Sequence, residues 1–318
     1  MMVNAKIRKL APFDPDVLAQ SFFERLINDG RVMHAFLDTQ YRMHPAISRV
    51  TSVPFYKYYF RCPLPLSVFL TAYNQPDINR NDFHPMTFID TSKITGKEET
   101  SAEAGHYVNE VEATIVANII NRLHSLVPVE ELDSEIAVIA PYRSQVERLE
   151  YVLKRHVTNA NTDVTWNRRN IHISTVDSIQ GSERSVIIFS TTRSNKEGVV
   201  GFVSDMRRLN VSVNRARMLN IVIGDFSTIR TGPEGSTRGI EGLHQIYRGC
   251  ARGVEAGARL ALARVNNTGV DDGNYLFEYQ PLSDPAVTRA ASQAEGGGGA
   301  ETRVLEANPD VDISALFR

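Results

Sequence analysis

The sequence is poor in cysteine. Cys62 and Cys250 are the two in 318 residues, and they lie far apart with no metal-ligand spacing. That excludes a disulfide framework and points to a reducing compartment, cytoplasmic or nuclear. No apolar run is long enough to span a bilayer, so no membrane partner is expected. The opening stretch MMVNAKIRKLAPFDPD is basic but lacks an apolar block and a small-residue cleavage site, and it is not read as a secretory signal. Neither sign of charge is in excess: 35 Lys and Arg stand against 37 Asp and Glu. A global basic field is thereby excluded, and a polyanion would need a local groove. The eight histidines show no H-E-x-x-H spacing, so no metal ligand is assigned. The glycine-rich phosphate loop G-x-x-x-x-G-K-[ST] is missing too. Gly96-Lys97 is the sole Gly-Lys pair, and it is followed by Glu98 with no glycine at the required upstream position. Nor does an apolar strand end in Asp-Glu, so this sequence holds neither phosphate cradle nor magnesium ligands of its own.

What is present is an ordinary globular composition, 42% hydrophobic and 23% charged, enough for one large core with appendages. Apolar spacing predicts helices over 14–30, capped by Asp14 or Asp16, over 103–127 and over 144–156. A further helix is predicted over 206–218 and another over 242–265. Short apolar runs predict strands at 31–37, 86–91, 136–140, 171–175, 186–192 and 219–224. Residues 54–85 read as loop with a short helix at most; the aromatics of FYKYYFR (55–61) are read as packing inward, the alternative being that they stack bases of a single strand beside their basic neighbours. Uniformly apolar strands alternating with helices imply an α/β fold, a parallel sheet covered on both faces. The polar, GGGG-containing end, 266–318, reads as a mostly disordered tail.

Three stretches are placed at the carboxyl ends of predicted strands, where open α/β sheets bind ligands. They are QYRMHP (40–45), STVDSIQGSE (174–183) and RRLNVSVNRAR (207–217). Arg208 and Arg215 lie seven apart, which puts them on one face of the predicted helix, and guanidinium forks suit phosphate oxygens. The bland alternative is a solvated basic face. Gly181 lets the backbone approach a ligand, and Glu183 can accept from ribose hydroxyls. A glycine turn with an acid is also commonplace. His44 is read as orienting its loop.

The combination resembles the second RecA-like domain of superfamily 1 helicases, in the up-frameshift-like branch. The matching stretches are SFFERL (21–26), QYRMHPAIS (40–48), YVNEVEA (107–113), IAPYRSQV (139–146), STVDSIQGSERSVIIFSTTRS (174–194) and GFVSDMRRLNVSVNRAR (201–217). They cover roughly residues 18–228, in the family's order. The resemblance implies a RecA-like domain over 18–230, after an extension (1–17) and before a linker and helix (231–265). It implies that Tyr41 stacks on the adenine of ATP, that Arg42 reaches the γ-phosphate, and that Pro45 stops regular structure. Arg215 matches the arginine finger, and Gly181 and Glu183 the nucleotide-sensing part of the fifth motif. Thr175, Asp177 and Ser178 match its nucleic-acid-facing part, and Tyr142 and Gln145 the fourth motif, at a helix start whose free N–H groups suit a phosphate.

Two positions depart from the pattern: Asn214 stands where the family usually has Thr or Ser, and Ser182 where this branch often has Arg. The family's GDxxQ motif is not found ahead of SFFERL. The resemblance thus implies the carboxy-terminal half of an ATP-dependent motor moving 5′ to 3′ on single-stranded RNA or DNA. An amino-terminal RecA-like domain, in cis or in trans, would hold the phosphates and Mg2+ of ATP. The alternatives are a non-catalytic nucleic-acid-binding or scaffold protein derived from a helicase, and an incomplete gene model.

Overall fold

The computed structural model describes residues 21–56, 60–63, 84–126, 133–158, 171–230 and 238–252, apart from a few single positions, and the backbone of strands between 254 and 279. Residues 1–13 and 280–318 lie outside the described residues, as do 64–83 of the expected loop. Two compact units result, and the one that begins at Thr39 holds the sheet. The other contributes helix α1, Phe22–Asn28, closed by a capping box between Ser21 and Glu24. The residues before Ser21 in the expected 14–30 helix are not described.

The sheet has seven strands. In chain order they are β1 (Met86–Asp90), β4 (Ile136–Ala140), β5 (His172–Thr175), β6 (Arg184–Ser190), β7 (Ala216–Gly224), β10 (Ala261–Asn267) and β11 (Tyr275–Tyr279). Hairpins β2/β3 (Thr100–Ser101, Tyr107–Val108) and β8/β9 (Val254–Glu255, Ala258–Arg259) stand apart. The spatial order is β11-β10-β1-β7-β6-β4-β5, parallel except for the edge strand β11. This is a RecA-like α/β fold. β1 and β4 are buried at every position, as strands covered on both faces must be.

Successive residues of one strand serve opposite cores. Ile188 and Ile221 face α3 (Glu110–Leu126) and α4 (Arg143–Thr158), packing with Ile115, Ile119 and Leu149. Ile187 and Val222 face α2 (Pro45–Tyr56), α5 (Met206–Val213) and α7 (Arg238–Arg252), packing with Ile47, Leu209 and Leu243. A short helix α6, Phe226–Arg230, follows β7. Asn220 is the polar exception inside β7. Its Nδ2 donates at 2.5 Å to the Val213 carbonyl, which the end of α5 leaves unsatisfied.

Several expectations are corrected. Residues 33–38 form no strand; only Thr39 bridges to Arg61, because three apolar residues between polar neighbours are too short a run to hold a ladder. Pro45 does not stop regular structure but opens α2, since a first-turn proline loses no helical hydrogen bond. α5 ends at Val213, not at 218, and the chain is already β7 at Ala216. The expected helix over 242–265 ends at Arg252, and residues 261–264, the start of β10, pair with β1 instead. The open edge of β1 offers unpaired main-chain groups, a tertiary demand that composition does not register.

Candidate functional site

Backbone hydrogen bonds draw three segments to the amino ends of β6 and β7. The Arg184 amide donates to the Arg215 carbonyl at 3.1 Å, so Glu183 and Arg215 enter their strands side by side. The His44 amide donates to the Arg217 carbonyl at 2.8 Å and brings residues 40–44 to the same edge. Gln40 shapes that segment. Its Oε1 accepts from the amides of Arg42 (2.9 Å) and Met43 (2.8 Å), and its Nε2 donates to the Met43 carbonyl (2.9 Å). His44 caps α2, its Nδ1 accepting from the Ala46 amide at 3.1 Å; burial pulls its pKa down to about 4, so the ring is neutral at pH 7.

At this edge Arg42 forms an ion pair through Nε with Glu183 and donates through Nη1 to the Asn214 carbonyl at 3.2 Å. Arg215 faces the same pair. Burial lowers its pKa and the charge of Arg42 adds to this, while Tyr56 and Glu183 act in the other direction. Its Nε is buried without a hydrogen-bond partner. Tyr41 stands 68% exposed beside Arg42, and Gly181 turns the chain at φ +91 before Glu183. Two guanidiniums facing one carboxylate, with one buried donor unmet, suit an added anion. The location differs from expectation: these residues sit at the amino ends of the strands, not the carboxyl ends. Arg208 and Arg215 do not share a helix face either, because Arg215 lies beyond α5. Arg208 instead stacks over Phe202, 3.5 Å from the ring centre, and pairs with Asp177 at 3.5 Å.

The residues read as facing nucleic acid divide into two sets. Thr175 and Ser178 join hydroxyls at 2.8 Å on the exposed turn after β5, with Asp177 exposed beside them. Tyr142 and Gln145 point inward. The Tyr142 hydroxyl accepts from the Phe202 amide at 3.2 Å, and its ring meets Tyr107 edge-on at 5.0 Å. Gln145 is fully buried. Its Oε1 accepts from the Asn109 amide at 2.8 Å and its Nε2 donates to the Asn109 carbonyl and Ser190 Oγ, both at 3.2 Å. Every polar position of that side chain is engaged, so it offers a strand nothing; it ties α3 to β6. The turn 176–183 runs from the carboxyl end of β5 to the amino end of β6, about 20 Å for a seven-residue strand.

A family model described as an AAA domain, AAA_12, matches residues 18–227. The chain belongs to this family, the up-frameshift-like superfamily 1 helicases. Among its relatives are a probable helicase, MAGATAMA 3, and a regulator of nonsense transcripts 1 homolog, both from Arabidopsis thaliana. They are each 34% identical, over 67% and 68% of this chain and 25% and 16% of their own lengths. Helicase sen1 of Schizosaccharomyces pombe is 32% identical over 67% of this chain and 12% of its own. The chain thus spans a quarter or less of these relatives. In this helicase-family domain Asn214, the departure noted above, is absorbed by packing: it accepts from Thr51 Oγ1 at 2.7 Å and donates to Asn210 Oδ1 at 2.5 Å.

Sequence reasoning missed Gln40 as the side chain that folds the arginine loop, although it stands in the quoted motif. It also missed the buried centre at the carboxyl ends of β6 and β7. There Glu112 accepts from Ser190 Oγ (2.5 Å) and the Thr192 amide (2.9 Å), and Arg193 pairs with Glu99 at 2.9 Å. Glu112 and Arg193 stand in the quoted stretches 107–113 and 174–194, but their pairings could not be read there, because the partners lie 78 to 94 positions away.

Proposed function

We propose that the chain is the carboxy-terminal motor lobe of an ATP-dependent RNA or DNA helicase. The observation that supports this most is the convergence of Arg42 and Arg215 beside Glu183, with a guanidinium nitrogen of Arg215 left without a partner. Arg42 takes the γ-phosphate, Arg215 offsets charge developing on the transferring phosphoryl group, and the exposed ring of Tyr41 receives the adenine. Glu183 accepts from the ribose hydroxyls beside the open turn at Gly181. ATP supplies the phosphoryl group and the free energy of its transfer. Mg2+ is assigned, as the resemblance implies, to a complementary lobe with a phosphate loop. The single strand is assigned to the turn carrying Thr175, Asp177 and Ser178, at the other edge of the sheet. Closing of the two lobes on ATP and their reopening after hydrolysis gives stepping along the strand.

The test is reconstitution. The 318-residue chain alone hydrolyses no ATP above background. Joined to a RecA-like lobe bearing a phosphate loop, it gains strand-stimulated hydrolysis. Robust metal-dependent hydrolysis by the chain alone overturns this assignment of roles. Strand binding that ignores nucleotide in the joined protein favours the scaffold alternative.

A further inference from the structure

We propose that Glu183 is a selectivity residue: its carboxylate occupies Arg42 as an internal anion and so discriminates against bare oligophosphates in favour of ribose-bearing triphosphates. The proposal rests on the nucleotide reading above and adds to it a cost imposed on the wrong ligand. Arg42 has two of its donor directions engaged, Nε on the Glu183 carboxylate and Nη1 on the Asn214 carbonyl. Its remaining N–H groups can still meet a phosphate beside the carboxylate, but a two-point grip that includes Nε must take Arg42 from Glu183. Both side chains are 42% exposed, and a solvent-screened pair of this kind is weak enough to exchange.

Displacement does not remove the carboxylate. The Glu183 carbonyl accepts from Arg184 Nη1 at 2.8 Å, and the Arg184 amide holds the Arg215 carbonyl, so the backbone at 183 is fixed to the starts of β6 and β7. The negative charge stays beside Arg42 and Arg215, within repulsive reach of any phosphate bound there. A bare oligophosphate meets this repulsion with nothing to offset it. A nucleoside triphosphate brings hydroxyls that can donate to the same carboxylate, which is 42% exposed at side-chain level and follows an open turn, where a Cβ at Gly181 would meet no atom within 4 Å. Arg215 adds a second positive charge beside the same carboxylate and reinforces the pull on either ligand.

The experiment compares binding of tripolyphosphate and of ATP, in metal-free buffer, to the full 318-residue chain and to its Glu183→Gln and Arg42→Ala variants. Calorimetry or ligand-induced NMR shifts give the affinities, and circular dichroism checks that each variant folds. The proposal expects Glu183→Gln to bind tripolyphosphate about three- to fivefold more tightly. ATP affinity gains less or falls, so the preference for ATP narrows. Unchanged or weaker tripolyphosphate binding overturns the proposal. An equal gain for both ligands also overturns it, because the carboxylate then does not discriminate. If wild-type ATP binding is lost in Arg42→Ala while Glu183→Gln gains nothing, this inference fails and the nucleotide reading stands. If neither wild type nor Glu183→Gln binds either ligand, this inference fails, and the nucleotide reading is decided by the joined protein.

Discussion

The Thr51 hydroxyl donates to Asn214 Oδ1 at 2.7 Å, joining the middle of α2 to the residue that precedes Arg215. The same amide donates onward to Asn210 Oδ1, and Asn210 Nδ2 reaches the Tyr56 hydroxyl at 3.0 Å. The two arginine-bearing segments are thus held by one chain of side-chain hydrogen bonds, and the Asn214 carbonyl itself receives Arg42.

Asn214→Ala removes the central link: Asn210 Oδ1 loses its donor, while the Thr51 hydroxyl keeps only the Ile47 carbonyl at 2.9 Å. The expected loss is about 1–3 kcal/mol, since an unmet buried partner costs more than a hydrogen bond gains. Thermal melting should fall by about 2–12 °C for a domain of this size. A double-mutant cycle with Thr51→Val should show coupling of about 1 kcal/mol. Additive losses would mean that the Thr51–Asn214 contact is not an energetic link.

Gly201 has φ +58, and a Cβ there would fall 2.2 Å from Tyr142 Oη and 2.7 Å from Arg193 Nη1. Gly181 also has a left-handed φ, +91, but open space around it. Gly201→Ala should therefore cost about 3 kcal/mol or more, strain plus a displaced Tyr142, while Gly181→Ala costs about 1–2 kcal/mol of strain alone. Chemical denaturation of the two variants tests the order. A Gly201→Ala protein as stable as Gly181→Ala would show that Tyr142 yields freely.

In a protein joined to a complementary lobe, Arg215→Ala should lower ATP turnover by on the order of 10³- to 10⁵-fold, the range for a removed arginine finger. ATP affinity should change little, because Arg42 and Tyr41 remain. Steady-state hydrolysis and nucleotide titration separate the two effects. A turnover loss under tenfold would take Arg215 out of the proposed role.

Much of this was legible in the chain itself. The apolar runs IAVIA and VIIFS identify central parallel strands because both faces are covered, and the α3 and α4 periods fix which stripe packs inward. Arg42, Glu183 and Arg215 could be grouped by motif, but spacing could not say which end of the sheet they occupy. That depends on the turn 176–183 carrying the chain from one edge to the other. Arg215 was assigned to a helix because its neighbours have helical spacing; the break at Asn214, φ −109 and ψ 28, is fixed by side chains from α2 and α5 that no local window contains. Gln145 reads as available to a strand because it matches the fourth motif, and its burial follows from Asn109 and Ser190, 36 and 45 residues away.

The buried Glu112 yields a pH prediction. Burial pushes its pKa up to about 8; hydrogen bonds from Ser190, Thr192 and Thr191 oppose the rise, and the nearby Asp225 charge adds to it. Asp225 itself, despite burial, is held below the usual carboxylate range by Ser227, Lys97 and Ser194, so it stays ionised beside Glu112. The folded protein therefore keeps a proton on Glu112 that the unfolded chain releases above its ordinary pKa of 4.5. Between these two pKa values the folded state binds more protons, so this group's contribution is greatest below pH 4.5 and declines as pH rises to 8. The decline amounts to about 3–5 kcal/mol in all, with roughly the last 1 kcal/mol lost between pH 7 and 8. Glu112→Gln mimics the protonated acid: the amide oxygen accepts from Ser190 and Thr192, and the amide nitrogen faces Thr191. Urea unfolding at pH 6 and at pH 9 should show wild type losing stability on the alkaline side and Glu112→Gln losing distinctly less. Parallel losses in the two proteins would place the titrating group elsewhere.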